Sequence, residues 1–144
     1  MISIDTNVLL RYLLQDDETQ SVKATKLILN SDTVLVTDVV LAETLWTLKG
    51  KKYKLSKDDL LLVIHELFKE PSVLFEDGQS VWRAYNHLRN SKKVKVGSKT
   101  KDVDFADALI LEKSKYEASA RSDDFVAFYT FDVAAQQLPD TKKV

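Results

Sequence analysis

The sequence predicts an α/β domain in which a short parallel sheet of four to five strands is covered by helices. Three observations predict it. Short β-branched runs alternate with amphipathic stretches along the chain, the pattern of strands joined through helices. The run Thr33-Val34-Leu35-Val36-Thr37 has no charged residue, as expected of a strand buried on both faces of a parallel sheet. The opening Ile2-Ser3-Ile4-Asp5-Thr6-Asn7-Val8-Leu9-Leu10 reads as a strand ending in a carboxylate and running into a helix. That order places Asp5 at the carboxyl edge of the sheet, where open α/β sheets put their ligands.

Composition narrows the class. The 144 residues suit one domain over 1–144, with 44% hydrophobic and 30% charged residues, ordinary for a globular protein. With 3 Gly and 2 Pro, repeats and low-complexity linkers are not expected. No apolar run approaches the ~20 residues of a membrane span. The opening lacks the basic and apolar regions of a signal peptide, so a cytoplasmic protein without a membrane role is expected. Cysteine is absent, which excludes disulfides, thiolate zinc sites and cysteine nucleophiles. The net charge of -1 means that any nucleic-acid surface must be local.

Taken in order, Val8 to Leu14 reads as a short helix, and Asp16-Asp17-Glu18 introduces a second, Thr19 to Asn30. A turn at Asn30-Ser31-Asp32 leads into the strand at Thr33–Thr37. Asp38 is the expected cap of the helix that holds Val39 to Trp46. Gly50 and Lys51-Lys52-Tyr53-Lys54 make a break, and Ser56-Lys57-Asp58-Asp59 resembles a capping box. The helix it opens ends at Pro71, before a third strand at Ser72–Phe75. Gly78 to Asn90 is amphipathic, with Val81, Trp82, Tyr85 and Leu88 at helical spacing. Ser91 to Lys101 reads as a polar, Lys-rich loop. Asp102 or Asp104 starts a helix from Phe105 to Tyr116. Val126 to Thr130 is a fourth strand, followed by a short helix, and Lys142 to Val144 can add a fifth strand.

Four acids stand in apolar surroundings: Asp5 in ISIDTNVLL, Glu43 in VVLAETLW, Asp107 in FADALIL and Asp132 in FYTFDVAA. Each is placed by the strand–helix order so that all four can converge at one sheet edge. Any one alone is as well explained as a helix cap; four together are not. Clustered carboxylates without histidine or cysteine suit a hard cation such as Mg²⁺ or Mn²⁺. Asp104 can add a fifth ligand or serve only as a cap. Thr130 and Asn7 are placed to orient carboxylates or water. Arg11 and the lysines Lys92, Lys93, Lys95, Lys99 and Lys101 of the polar loop are the candidates for framing the acids with positive charge. His65 and His87 read as structural, and Trp46, Trp82 and Tyr85 as core or interface residues.

These motifs resemble the PIN-domain family of metal-dependent ribonucleases, and within it the VapC-type toxins of toxin–antitoxin pairs. The similarity covers nearly the whole chain. It rests on the opening hydrophobic-Asp-Thr-Asn, Leu-Ala-Glu at 41–43, Asp-Ala-Leu-Ile at 107–110 and Thr-Phe-Asp at 130–132. The resemblance implies a doubly wound sheet. It also implies an endoribonuclease using one or two Mg²⁺ or Mn²⁺ ions, with Asp5, Glu43, Asp107 and Asp132 as catalytic acids and metal ligands. Asp104 is implied as an accessory ligand, with Thr6 and Thr130 at the hydroxyl positions. RNA as substrate, an antitoxin partner and a homodimer follow from the same resemblance.

Three rivals come from other classes. A haloacid-dehalogenase-type phosphatase needs an acid two residues after its nucleophile, and that position here is Asn7. A receiver domain needs paired acids after its first strand, which the chain lacks, although Asp77 follows the third. A catalytically silent PIN-like binding module is the third, and intact acids at all four positions count against it.

Overall fold

Strand β1 (Ile2–Ser3) leads through helices α1 (Thr6–Leu14) and α2 (Glu18–Leu29) into β2 (Val34–Val36). Helices α3 (Asp38–Lys49) and α4 (Lys57–Lys69) then lead into β3 (Val73–Phe75). The computed structural model describes residues 1–144, and these elements form the first of two compact units, Met1–Gly78. The strands pair in the order β1-β2-β3. Both pairings are parallel, with Ile2 opposite Val34 and Val34 opposite Val73. Each crossover is a pair of helices, as parallel neighbours require.

The central strand behaves as its composition predicts. Val34 and Val36 are fully buried, and Leu35 is half-buried. Around them Leu9, Ile28, Leu41, Leu48, Ile64 and Leu67 lose essentially all exposure, each contributing roughly 1.5–3 kcal/mol of transfer free energy. Gln15, at the end of α1, takes a left-handed conformation (φ 53) and returns its N–H to the Arg11 carbonyl, which turns the chain sharply toward α2. The capping box at Ser56 and Asp59 is formed in both directions.

One expectation in this unit is corrected and another narrowed. The cap of α3 is Thr37, whose hydroxyl accepts the Val40 N–H. Because β2 ends at Val36, Thr37 is the last extended residue and Asp38 already lies inside the helix, where its backbone N–H donates to Glu76 Oε2 at 2.8 Å. Of the two places expected for Trp46, core or interface, the core is excluded: it is 67% exposed, because α3 buries the opposite face through Leu41, Thr44, Leu45 and Leu48.

The second unit, Gln79–Val144, is entered on helix α5 (Gly78–Asn90), whose bounds match those predicted. There follow β4 (Val94–Val96), β5 (Lys99–Lys101), α6 (Phe105–Ala120), β6 (Phe128–Thr130), a 3-10 turn at Ala135–Gln137 and β7 (Thr141–Lys143). The expected loop at 91–101 is instead an antiparallel hairpin, β4 with β5. Strand β7 pairs parallel with β6, Phe128 opposite Thr141. The expected α/β class with parallel strands is therefore what forms, its ladders holding three and two strands. Val81, Ala84, Leu88, Val103, Ala108 and Leu111 build this unit's core.

Glu112 is buried in that unit at 4% exposure and is not left alone. His87 Nε2 lies 2.7 Å from it, and Arg83 and Lys115 stand at 3.9 Å. His87 is thus a structural partner. Trp82 is half-exposed and stacks on Tyr85 with ring centroids 5.1 Å apart. No helix is long and apolar enough to cross a membrane.

Candidate active site

In the first unit, Asp5 follows β1 and caps α1, accepting the Val8 N–H through Oδ1 at 2.9 Å. The cap occupies one carboxylate oxygen of this exposed residue. Thr6 opens the helix, and its hydroxyl donates to Glu43 Oε2 at 2.7 Å. The parallel pairing of β1 with β2 explains this link between residues far apart in the chain. Both strands end at the same edge, so the helices they feed start side by side.

Beside Asp5 lies an open pocket of about 290 Å³, lined by Asn7, Val8, Arg11, Gln20, Lys23, Ala24 and Leu27 as well. The charge of Arg11 is partly used locally. Its guanidinium donates to Asp16, and this bond raises its pKa against the opposing effect of desolvation. Lys23, which the sequence reading passed over, is the pocket's other cation. The signal for it is the α2 stripe Gln20, Lys23, Ala24 and Leu27, one helical face at i, i+3, i+4 and i+7.

In the second unit, Asp104 rather than Asp102 caps α6, accepting the Ala106 N–H at 3.1 Å. Asp107 sits half-buried in the first turn. Asp132 follows β6, and its Oδ1 accepts the Ala135 N–H at 2.9 Å. Thr130 accepts the Asp132 backbone N–H at 3.0 Å, so it orients the main chain there rather than the carboxylate.

The other Asp132 oxygen, Oδ2, receives the ammonium of Lys101. Lys101 has a raised pKa, first through that bond and further, against desolvation, through the charges of Asp132, Asp107 and Asp104. Burial opposes ionisation of Asp132, but the Lys101 ammonium and the Ala135 and Ala134 N–H groups outweigh it and lower its pKa. Lys101 is thus the direct ion-pair partner of Asp132.

The candidate RNA-binding lysines divide. Lys93 stands 3.4 Å from Asp102. Lys92 is held through its backbone, which exchanges two 2.8 Å hydrogen bonds with the Gln137 side chain. Lys95 is paired with Thr100, while Lys101 is paired with Val94, so Lys95 and Lys101 point to opposite faces of the hairpin. Lys101 was legible as one of the candidate cations, but not its place on Asp132. The signal for its placement is Val-Lys-Val-Gly-Ser-Lys-Thr-Lys, alternation around a two-residue Gly-Ser turn.

No three histidine, cysteine, aspartate or glutamate side chains form a group that holds a metal ion. The donor chemistry nevertheless suits one. Every candidate ligand is a carboxylate oxygen, the preference of Mg²⁺ and Mn²⁺, and the carboxylates of the second unit already draw in a cation of the chain's own. Among known families, the PIN domain model matches residues 2–139. No curated protein matches the chain.

Proposed function

The chain belongs to the PIN-domain family, a family of nucleases, and on that premise we propose that it is a Mg²⁺- or Mn²⁺-dependent endoribonuclease, the toxin of a VapBC-type pair. The observation that carries this reading is where the motif acids fall. Asp5 and Asp132 each follow a strand of a parallel ladder, and the Thr6 hydroxyl holds Glu43 at the Asp5 end of α1. Its catalytic and metal-binding acids are Asp5, Glu43, Asp107 and Asp132, with Asp104 as accessory ligand. Thr6, Asn7 and Thr130 support them. RNA is the substrate, an antitoxin and a second copy of the chain are the partners, the cytoplasm is the location, and residues 1–144 act as one nuclease domain.

A divalent ion, when bound, supplies the positive charge that offsets the extra negative charge on the phosphate in the transition state. The residues do the rest. Thr6 fixes the rotamer of Glu43, leaving its second oxygen to accept a proton from the attacking water. Attack on phosphorus breaks the bond to the 3′ oxygen, which takes a proton from solvent, leaving 5′-phosphate and 3′-hydroxyl ends. The substrate's 2′-hydroxyl has no part in this. Lys92, Lys93, Lys95 and Arg11 hold flanking phosphates against the repulsion of the acids.

A second reading, a catalytically silent PIN-like binding module, is favoured by one observation: the Lys101 ammonium already pairs with the Asp132 carboxylate. Cleavage of a mixed tRNA and rRNA pool in Mg²⁺ or Mn²⁺ decides between them. Discrete products that vanish in EDTA and with Asp5→Asn support the nuclease. Cleavage that persists in EDTA or leaves 2′,3′-cyclic phosphates defeats the mechanism, and no cleavage by folded, antitoxin-free protein favours the binding module.

A further inference from the structure

The pocket beside Asp5 combines an apolar wall, an amide and two cations, none of which the acids themselves require. Helices α1 and α2 are joined only by residues 15–17, so they form an antiparallel hairpin. That pairing sets Leu27 toward the Asp5 end of α1, Ala24 beside Val8, and Gln20 toward Arg11. The wall between is apolar: Ala24 is buried, and Val8 and Leu27 are partly exposed. Beyond it stand the Gln20 amide and the cations Arg11 and Lys23. Arg11 is bonded to Asp16, whereas Lys23 is exposed and has no acid of the chain on its ammonium. Asp5 is the only acid on the wall, so the pocket is net positive. A larger cavity of the same unit, about 510 Å³, has the opposite balance: Glu66 and Glu70 stand against Lys69, which Glu66 already holds at 3.3 Å. An anion is attracted to the first and repelled by the second.

We propose that the pocket beside Asp5 is the subsite for one nucleotide of a single-stranded RNA, the nucleotide next to the phosphate cut at Asp5. The inference rests on the reading of the chain as a ribonuclease and adds where the strand is read. The base lies with one face on Val8, Ala24 and Leu27. Its edge keeps hydrogen-bond donors and acceptors, and the Gln20 amide offers one group of each kind. Such a pair is how an amide reads a base, and an unpaired strand leaves that edge free. Lys23 holds the nucleotide's outer phosphate as a point charge. At about 290 Å³ the pocket is at the lower end of ligand-pocket volumes, ~300 Å³, with room for one nucleotide and not for a duplex. Gln20 thus selects the base, and Lys23 supplies affinity for any sequence.

The test is binding of labelled oligoadenylate, oligocytidylate and oligouridylate of equal length by the full chain. It is followed by fluorescence anisotropy in EDTA, so that no strand is cut, and circular dichroism checks that each variant is folded. Lys23→Ala should lower the salt slope of binding by about 0.7 for all three strands and leave their order unchanged. Lys26→Ala removes the same charge from an exposed residue of α2 outside the pocket and should keep the parent's slope. Gln20→Ala should change the ratio of affinities between strands about tenfold, the discrimination of one amide–base pair. Leu27→Glu should weaken all three about tenfold, the scale of one lost base contact. Equal slopes for Lys23→Ala and Lys26→Ala, or an unchanged ratio in Gln20→Ala, would overturn the inference while binding by the parent leaves the RNA reading standing. No binding of any strand by the parent would overturn the RNA reading and this inference together.

Discussion

The two units treat their acids in opposite ways. In the first, Glu43 is held by a neutral group, the Thr6 hydroxyl, while Asp5 is steadied by the backbone N–H of Val8. In the second, Asp132 is held by a full positive charge, with Asp107 and Asp104 acting on the same ammonium. A hydroxyl orients a carboxylate without cancelling its charge, whereas an ammonium does both. The first unit therefore presents acids held by neutral groups, with Arg11 and Lys23 lining the pocket beside Asp5, and the second presents in Asp132 an acid with a directly bonded internal counter-ion. Stability and catalysis should respond differently to changes in each.

The largest effect is expected at Asp5. Asn caps a helix as well as Asp does, so Asp5→Asn should leave stability within about 0.5 kcal/mol of the parent in urea unfolding. Cleavage should nonetheless fall on the order of 10²–10³-fold, the scale of losing one charged group from a transition-state site. A comparable loss of stability would mean that Asp5 is only a cap, and the contrast between the units would collapse. Next in size is Thr6→Val, which keeps the shape and removes the donor. It should lower cleavage about tenfold, as loss of an orienting partner does. Cleavage equal to the parent's would mean that the hydroxyl does not orient Glu43 for the reaction, and the distinction between orienting and compensating groups would fail.

A smaller effect concerns the basic hairpin. Lys95 faces away from Lys101 and its acids, whereas Lys93 is shared with Asp102. Lys95→Ala should therefore reduce the salt dependence of RNA binding by roughly 0.7 in the log–log slope, one phosphate contact on a single strand. Lys93→Ala should change it less. Binding measured between low and moderate salt separates the two, and equal slopes for parent and Lys95→Ala would remove the hairpin from the RNA surface.

What was legible in the sequence and what was not follows the range of the interactions involved. Local signals sufficed for α5, whose apolar spacing begins at Gly78, and for the capping box at Ser56. Helix α6 runs past the predicted Tyr116 to Ala120 because Glu117, Ala118 and Ala120 are good helix formers and no breaker intervenes. The hairpin was missed because its strands alternate lysine with valine or threonine, so both faces look polar, and only the Gly-Ser turn marks it. The acids themselves were visible as charges in apolar surroundings. Their partners were not: Thr6 with Glu43 and Lys101 with Asp132 are 37 and 31 residues apart, and no periodicity reports such pairs. Core and interface could not be told apart for Trp46 for a related reason, since aromatic character does not say which helix face the core takes.

The smallest predicted effect is also the most direct check on the counter-ion. Asp132 has a lowered pKa, so its contribution to stability is full above the ordinary carboxylate value of about 3.9 and is lost as pH falls through the folded value. Lys101 has a raised pKa, so its contribution is full below the ordinary value of about 10.4 and is lost as pH rises through the folded value. The stability difference between the parent and Lys101→Met should therefore be level from about pH 5 to 10 and shrink at both ends. With side chains 46% and 22% exposed, the plateau should not exceed about 1 kcal/mol, and added salt should lower it. The difference between the parent and Thr6→Val should change little with salt or with alkaline pH, because a hydroxyl carries no charge to screen or titrate. Equal salt dependence in the two variants would mean that the acids of both units are held in the same way.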